Sequence, residues 1–138
     1  MTTVRHLLDR KDRALFSIEP EDPVLEAIRM MADRHVGALL VMRGSELAGI
    51  VSERDYARKV VLLGRSSAET PVWQIMSSPV VTVSLDSSIE DCMRLMTERR
   101  IRHLPVVDGK ELKGVVSLRD VLMHQSAELQ RETRRAAS

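Results

Sequence analysis

The sequence predicts a mixed α/β (α+β) fold made of two β-α-β-β-α repeats packed sheet to sheet about a pseudo-twofold axis. Shifting the sequence by 65 residues places Ser17–Asp55 over Thr82–Asp120 without a gap, which is the signature of an internal repeat. A single unit of about 60 residues, with strands apolar on both faces, is too small to cover its own sheet. The two repeats, residues 1–70 with an N-terminal segment and linker and residues 71–138 with a C-terminal helical extension, are therefore expected to cover each other.

Each repeat begins with a short apolar strand and later contains two apolar strands joined by a four-residue connection that contains glycine. The short strand is predicted at Leu15–Ile18 and at Val80–Val83. Glycine within a short connection between two apolar runs indicates a β-hairpin. The hairpin strands are predicted at Ala38–Met42 with Leu47–Ser52, and at His103–Val107 with Leu112–Ser117.

The first helix of each repeat is predicted from apolar residues at helical spacing. In the first repeat, Asp22 is the expected N-cap and Pro23 the first helical residue. In the second repeat, Ser87 and Glu90 have the spacing of a capping box. The residues expected to face the core are Val24, Ala27, Ile28 and Met31, matched by Ile89, Cys92, Met93 and Met96.

Composition and charge exclude several classes of protein. The 138 residues include 21 basic and 20 acidic ones, and 2% are aromatic, which is not the basic face with stacking platforms typical of nucleic-acid binders. No apolar run reaches the roughly 18 residues of a membrane span, and the N-terminus leads into no apolar signal core. Cys92 is the single cysteine, which excludes an internal disulfide and a multi-cysteine zinc site. We expect a cytoplasmic protein that binds neither nucleic acid nor a membrane.

The densest similarity between the repeats places Gly49–Asp55 over Gly114–Asp120, and both stretches end in Ser-x-x-Asp. A second helix is expected to start directly after Ser52 and after Ser117. The spacing is that of a capping box, which needs no ligand. A helix N-terminus at a strand end also presents free amides to an anion, and an aspartate on its first turn can accept hydrogen bonds from both hydroxyls of a ribose. Both interpretations of the two aspartates are open at this point.

These stretches resemble tandem CBS (cystathionine-β-synthase-type) domains, which as a pair are called a Bateman module. They fit the family's pattern of glycine, two apolar residues and Ser/Thr-x-x-Asp, and Ile75-Met76 and Arg102–Asp108 add to the likeness. The resemblance covers nearly the whole chain. It implies a stand-alone, non-catalytic sensor of adenosine ligands such as AMP, ADP, ATP or NAD. The residues themselves show no nucleophile–base pair and no metal spacing among the histidines, so we expect no catalytic residue, no catalytic cofactor and no metal.

The resemblance also implies which residues hold the nucleotide. Each cleft takes its aspartate from one repeat and adenine-lining residues from the other, pairing Asp120 with Ser17 and Ile18, and Asp55 with Thr82 and Val83. The second repeat has Arg102 and His103 where the first has Gly37 and Ala38, so its cleft has more basic candidates for phosphate. The candidate nucleotide-binding residues are Ser17, Ile18, Gly37, Ser52, Arg54, Asp55, Thr82, Val83, Ile101, Arg102, His103, Ser117, Arg119 and Asp120.

We predict a regulatory module that forms a homodimer and acts on an unidentified protein. A structural dimerisation or interaction module with degenerate pockets is the alternative. The apolar side chains near the second helices are too many for one buried face and are expected to form an exposed interface. They are Val60, Val61, Leu62, Leu63, Val121, Leu122 and Met123. Adenine is expected over guanine, because the adenine-lining candidates are apolar; they are Ile18, Val36, Val83 and Ile101.

Overall fold

The computed structural model describes residues 2–9 and 15–137. These residues form the mixed α/β fold with two repeats that the sequence predicts. The elements of the first repeat are α1 (Val4–Asp9), β1 (Ser17–Ile18), α2 (Val24–Arg34), β2 (Ala38–Arg43), β3 (Glu46–Ser52) and α3 (Glu53–Tyr56). A π-helical turn at Ala57–Val61 continues α3, and a 3-10 turn covers Val72–Gln74. The second repeat contains α4 (Ile89–Arg99), β4 (His103–Asp108), β5 (Glu111–Ser117) and α5 (Leu118–Ala137).

The chain forms two compact units that do not coincide with its two sequence halves. One unit consists of residues 15–80, and the other combines the N-terminal residues with residues 81–137. Helix α1 lies in the unit of the second repeat, where the backbone N–H of Val4 donates to the Ser87 carbonyl at 2.9 Å. In the other unit, residues 72–76 form the equivalent segment. Met76 lies against Gly49 there, as Leu8 of α1 lies against Gly114.

Both units are built around an antiparallel hairpin with the same irregularity. Strand β2 pairs with β3 and β4 with β5, and the register shifts at the equivalent position in each pair. The hairpins are therefore confirmed, with turns of two residues. Gly44 and Gly109 occupy the first turn position at φ values of +63° and +61°. Glycine fits there because a positive φ is strained for residues that carry a Cβ.

The short first strand differs between the repeats. Strand β1 is two residues long instead of the predicted four, and it runs parallel to β2. The backbone N–H of Leu40 donates to the Phe16 carbonyl at 3.1 Å next to it. The equivalent of Leu40 in the second repeat is Pro105, which has no N–H to donate, and Val83 alone bridges to β4. The strand predicted at Val80–Val83 is therefore wrong in extent.

The first helix of each repeat begins one residue later than predicted. The N-caps are Pro23 and Ser88 rather than Asp22 and Ser87, so the capping box of Ser87 with Glu90 is wrong. The side chains of Asp22 and Ser87 instead accept from the backbone N–H three residues before them, at 3.1 and 3.0 Å. Short polar side chains compete for such turns, and both repeats use theirs to close the turn that precedes the helix.

The helical stripes of both cores are confirmed. Their fully or almost fully buried members are Val24, Ala27 and Met31 in α2, and Ile89, Cys92 and Met96 in α4. Burial raises the pKa of the Cys92 thiol from 9.0 to about 11, and the negative charge of Asp91 adds to the rise. The thiol is therefore an uncharged core group.

The exposure predicted for the apolar residues near the second helices is confirmed in part. Val60 and Val121 are 1% and 0% exposed and belong to the two cores, so their assignment to the interface is wrong. The remaining five residues of that set are at least half exposed: Val61, Leu62, Leu63, Leu122 and Met123. In each segment one apolar residue, Val60 or Val121, faces the core, and its apolar neighbours along the chain face outward. None of the described helices is long and apolar enough to cross a membrane.

Candidate functional site

Both Ser-x-x-Asp motifs lie where the last strand of a repeat turns directly into a helix. Ser52 ends β3 and Ser117 ends β5, and a helix starts at the next residue in both cases. That first helical residue is tied to the start of the neighbouring strand. Its backbone N–H donates to the carbonyl of Gly37 at 3.0 Å in the first repeat and to that of Arg102 at 2.8 Å in the second. Two of the predicted site positions are thereby held beside the motif.

The two aspartates close reciprocal capping boxes. In the first repeat, the Ser52 N–H donates to Asp55 Oδ2 at 2.9 Å, and the Asp55 N–H donates to Ser52 Oγ at 3.2 Å. In the second repeat, the Ser117 N–H donates to Asp120 Oδ2 at 2.8 Å, and the Asp120 N–H donates to Ser117 Oγ at 3.1 Å. Both aspartates are only partly exposed. The capping interpretation is confirmed, and these hydrogen bonds hold each carboxylate at the start of its helix.

A lysine contacts the aspartate of the first motif. Lys59 Nζ lies 3.3 Å from Asp55 Oδ1 and donates to the Ile75 carbonyl at 2.9 Å. The Ser52 hydroxyl also donates to Asp55 Oδ2, at 3.0 Å. The residue equivalent to Lys59 in the second repeat is His124. The immediate chemical surroundings of the two motifs therefore differ at this position.

A basic cavity of about 450 Å³ lies beside the second motif; Ser117 lines it and Asp120 does not. Four of the predicted site residues line it: Arg102, His103, Ser117 and Arg119. None of the described residues that line it is acidic, and Ser117 and Ser126 contribute hydroxyl groups. Arginine presents several donors in a planar fork that suits phosphate oxygens. The cavity has the size of a small-molecule site and the charge to hold an anion.

Sequence reasoning missed the wall of this cavity that α5 supplies. Leu118, Leu122 and Ser126 line it together with Met123. The first three are spaced by four residues and therefore share one face of a helix, which is the signal that could have identified them. Lys59 was missed as well, although its position four residues after Asp55 is the spacing of an intrahelical ion pair.

Arg54 lies within the first motif, on the helix that starts after Ser52, and is partly exposed. Ser17 and Ile18 lie away from the motif of their own repeat. In the unit of the first repeat, β2 separates β1, with Ser17 and Ile18, from β3. Ile18 is almost fully buried, and both residues line a recess of about 810 Å³ whose other wall includes Glu26 and Arg29 of α2. The pairing of these two residues with Asp120 stays a prediction, because they belong to the other unit.

The second repeat has the same arrangement. Val83 bridges to β4 on the edge away from β5 and is almost fully buried, whereas Thr82 is exposed. Their pairing with Asp55 also stays a prediction. Ile101 packs partly buried against the core of its own unit. Within residues 2–9 and 15–137, no cluster of histidine, cysteine and carboxylate side chains could hold a metal ion.

Comparison with known proteins identifies the family. The sequence profile described as "CBS domain" matches residues 4–62 and again residues 72–127. The chain belongs to the CBS-domain family. CBS pairs of this kind are a non-catalytic family, so the expectation that the chain is not an enzyme is confirmed by its membership.

Individual relatives match most of the chain. The chain is 43% identical over 107 residues to the mitochondrial CBS domain-containing protein CBSX3 of Arabidopsis thaliana, covering 74% of this chain and 52% of that protein. It is 35% identical over 109 residues to YhcV of Bacillus subtilis, covering 79% and 77%. A structure from Burkholderia ambifaria, described as a candidate signal-transduction protein with CBS domains, has a TM-score of 0.88 at 47% identity and covers 91% and 95%. The chain thus spans about half of the Arabidopsis relative and nearly all of the Burkholderia one.

Proposed function

We propose that this CBS pair is a regulatory module that binds an adenosine ligand, AMP, ADP, ATP or NAD, at its Ser-x-x-Asp motifs. The observation that carries the proposal is the basic cavity of about 450 Å³ beside the second motif. A nucleotide carries a diol and at least one phosphate, and the surroundings of this motif offer a matching group for each. Asp120 would accept from the ribose hydroxyls, and Arg102, His103 and Arg119 would contact the phosphates.

The family supports an adenosine ligand over other phosphates. The CBS pair of the protein MJ0100, at a TM-score of 0.82 and 20% identity, is in complex with 5′-methylthioadenosine and S-adenosyl-L-methionine. At that identity the likeness shows the fold alone, so the ligand class comes to this chain as part of the proposal.

The composite clefts, with adenine lined by residues of the other repeat, belong to the same proposal. So does a homodimer through the exposed apolar residues at Val61–Leu63 and Leu122–Met123. Among relatives, a CBS-CP12 protein from bloom-forming cyanobacteria is hexameric. Light scattering at tens of micromolar checks the homodimer, and a clean monomer mass contradicts it. The regulated protein would respond to the occupancy of the motifs.

Titration calorimetry with AMP, adenosine and GMP tests the ligand class and the phosphate contacts. The matched variant is Arg102→Gly with His103→Ala, because the first repeat already folds with Gly37 and Ala38 at these positions. Losing charge-assisted contacts is expected to weaken AMP binding about tenfold. Adenosine, which has no phosphate, is expected to bind both proteins alike.

Three results would contradict the proposal. No binding of any adenosine ligand would favour the structural module with degenerate pockets. Equal or tighter binding of GMP would remove the adenine preference. If the double variant binds AMP and adenosine more weakly by the same factor, Arg102 and His103 do not act through the phosphate.

A further inference from the structure

Lys59 contacts the carboxylate oxygen of Asp55 to which Ser52 does not donate. Ser52 donates to Asp55 Oδ2 twice, through its backbone N–H at 2.9 Å and its hydroxyl at 3.0 Å. Lys59 Nζ lies 3.3 Å from the other oxygen, Oδ1, and the Asp55 side chain is only 17% exposed. These three contacts to the carboxylate come from residues of its own unit.

Counting acceptor positions shows the consequence for a ligand. An ionised carboxylate offers about four acceptor positions, two on each oxygen. Ser52 uses both positions on Oδ2, and the Lys59 ammonium forms an ion pair with Oδ1 at 3.3 Å. A ribose that donates both hydroxyls needs two positions. Both hydroxyls would therefore need Oδ1, and while Lys59 stays in place its ammonium lies against that oxygen.

Lys59 has a second anchor. Its Nζ also donates to the Ile75 carbonyl at 2.9 Å, so the ammonium bridges α3 and the segment at residues 72–76. It lies in the π-helical turn Ala57–Val61, where the second repeat continues as a regular α-helix. Such π turns are uncommon and are frequently found at functional sites. The contact is thus part of a local structure that distinguishes the first repeat from the second.

We propose that Lys59 is a gate on the first motif: it occupies Asp55, and an adenosine ligand reaches this aspartate only by displacing the ammonium. This inference rests on the proposed function, because it concerns ribose on the same motif. In the second repeat the equivalent position is occupied by His124 instead of a lysine. The gate makes the two motifs of one chain unequal.

The expected change in AMP affinity on removing Lys59 follows from the population of the open state, in which Lys59 has left Asp55. A ligand that binds only the open state loses apparent affinity in proportion to the open fraction. If Lys59 is in place about nine-tenths of the time, its removal tightens binding about tenfold. Because the ammonium is partly exposed and such pairs are weakened by water, we expect a gain of about threefold to tenfold.

Calorimetry and native mass spectrometry with AMP test the gate in a chain whose second motif is weakened. Asp120→Asn provides this background, since asparagine retains an oxygen for the cap but not the charge. In it, Lys59→Met is expected to bind AMP about threefold to tenfold more tightly at one site per chain. Lys59→Arg keeps the cation and is the matched control, expected to bind AMP as the background does. In the unsubstituted chain, Lys59→Met should raise the number of AMP molecules bound at a fixed concentration.

The outcomes separate the gate from the proposed function. If the unsubstituted chain binds AMP but Lys59→Met has no effect, the gate is wrong and the proposed function stands. If Lys59→Met weakens AMP binding, Lys59 is a ligand contact rather than a gate. If neither the unsubstituted chain nor Lys59→Met binds AMP, both proposals fail. Binding by Lys59→Met alone supports the gate.

Discussion

The two repeats share the same strand–helix motif, yet the helices that follow it differ. After Ser52 the chain forms α3 and a π-helical turn that ends at Val61, whereas after Ser117 it forms the 20-residue helix α5. In the first repeat, Gly64 adopts a φ of +66° and the Arg65 N–H donates to the Val60 carbonyl at 3.0 Å. This is a glycine-type helix end. A shared start signal therefore does not determine how far the helix continues.

The residues around the motif differ in the same way. The first repeat has small residues, Gly37 and Ala38, before and at the start of its strand, and a lysine on its aspartate. The second has Arg102 and His103 at those positions and a basic cavity. Two repeats with the same strand–helix motif therefore differ in a few side chains, which place a basic cavity beside one motif and a lysine on the aspartate of the other.

The largest expected effect concerns the two aspartates as ligand contacts. Asp120→Ala is expected to weaken AMP binding at the second repeat by about 10- to 100-fold, because it removes charge-assisted hydrogen bonds. Asp55→Ala is expected to change the measured affinity less, because Lys59 already occupies that carboxylate. Calorimetry with AMP on both variants compares them.

A 2′-deoxy analogue of AMP separates contact from capping for Asp120. Removing the cap alone costs about 1 kcal/mol of stability, so melting temperatures cannot decide. If Asp120 contacts the ribose, the analogue binds the unsubstituted protein more weakly than AMP does. In the Asp120→Ala background this loss of affinity is much smaller. Simple addition of the two losses would show that the aspartate only caps the helix.

Alanine at the two equivalent glycines is expected to destabilise the units unequally. A Cβ at Gly49 would lie 2.9 Å from the Ser77 carbonyl and 2.6 Å from Met76 Sδ, and that carbonyl accepts from the Ile50 N–H. A Cβ at Gly114 would meet only the side-chain end of Leu8, at 2.8 Å. Overpacking a core lowers the free energy of unfolding by about 1–3 kcal/mol. We therefore expect a loss of about 2–3 kcal/mol for Gly49→Ala and about 1 kcal/mol for Gly114→Ala. Urea unfolding measures both, and equal losses would contradict the difference in packing.

The equivalent core positions Cys92 and Ala27 predict a difference at high pH. Burial raises the pKa of the Cys92 thiol from 9.0 to about 11, so the thiol ionises earlier in the unfolded chain. Its contribution is therefore fully present below pH 9 and is lost as pH rises toward 11. At pH 10 the loss is about 1 kcal/mol. Cys92→Ala adopts the residue of the first repeat, and its urea midpoint should fall less than that of the unsubstituted protein between pH 8 and pH 10. Parallel pH dependence of the two proteins would show that the thiol does not contribute.

The smallest expected effect is a gain in stability at the ends of α2 and α4. His35 and Arg100 occupy equivalent positions there, with φ values of 56° and 54°. Glycine is the residue that adopts this conformation without strain. Glycine at either position is expected to stabilise the protein by about 0.5–1 kcal/mol, measured by thermal unfolding. A loss of stability would mean that the His35 or Arg100 side chain makes a contact worth more than the strain.

The errors of sequence prediction lie where two local signals compete. Asp22 and Ser87 are good N-caps by residue type, but each closes the turn before its helix, and the helix starts one residue later. The strand at Val83 is short because Pro105 on its neighbour cannot donate. A single residue offers several hydrogen-bonding possibilities of similar energy, and the partner that decides among them can lie far along the chain.

The sequence by itself determined the repeat, the helical stripes, the hairpins and the helix starts at Ser52 and Ser117. These features depend on spacing and on hydrogen bonds between residues a few positions apart, which are the same wherever the segment folds. Only the tertiary structure decided that α1 joins the unit of the second repeat, that Val60 and Val121 turn inward, and that α5 forms a wall of the basic cavity. It also brought Lys59 to the Ile75 carbonyl, 16 residues further along the chain. Such contacts depend on which surfaces meet when the cores are buried, and local spacing does not contain that information.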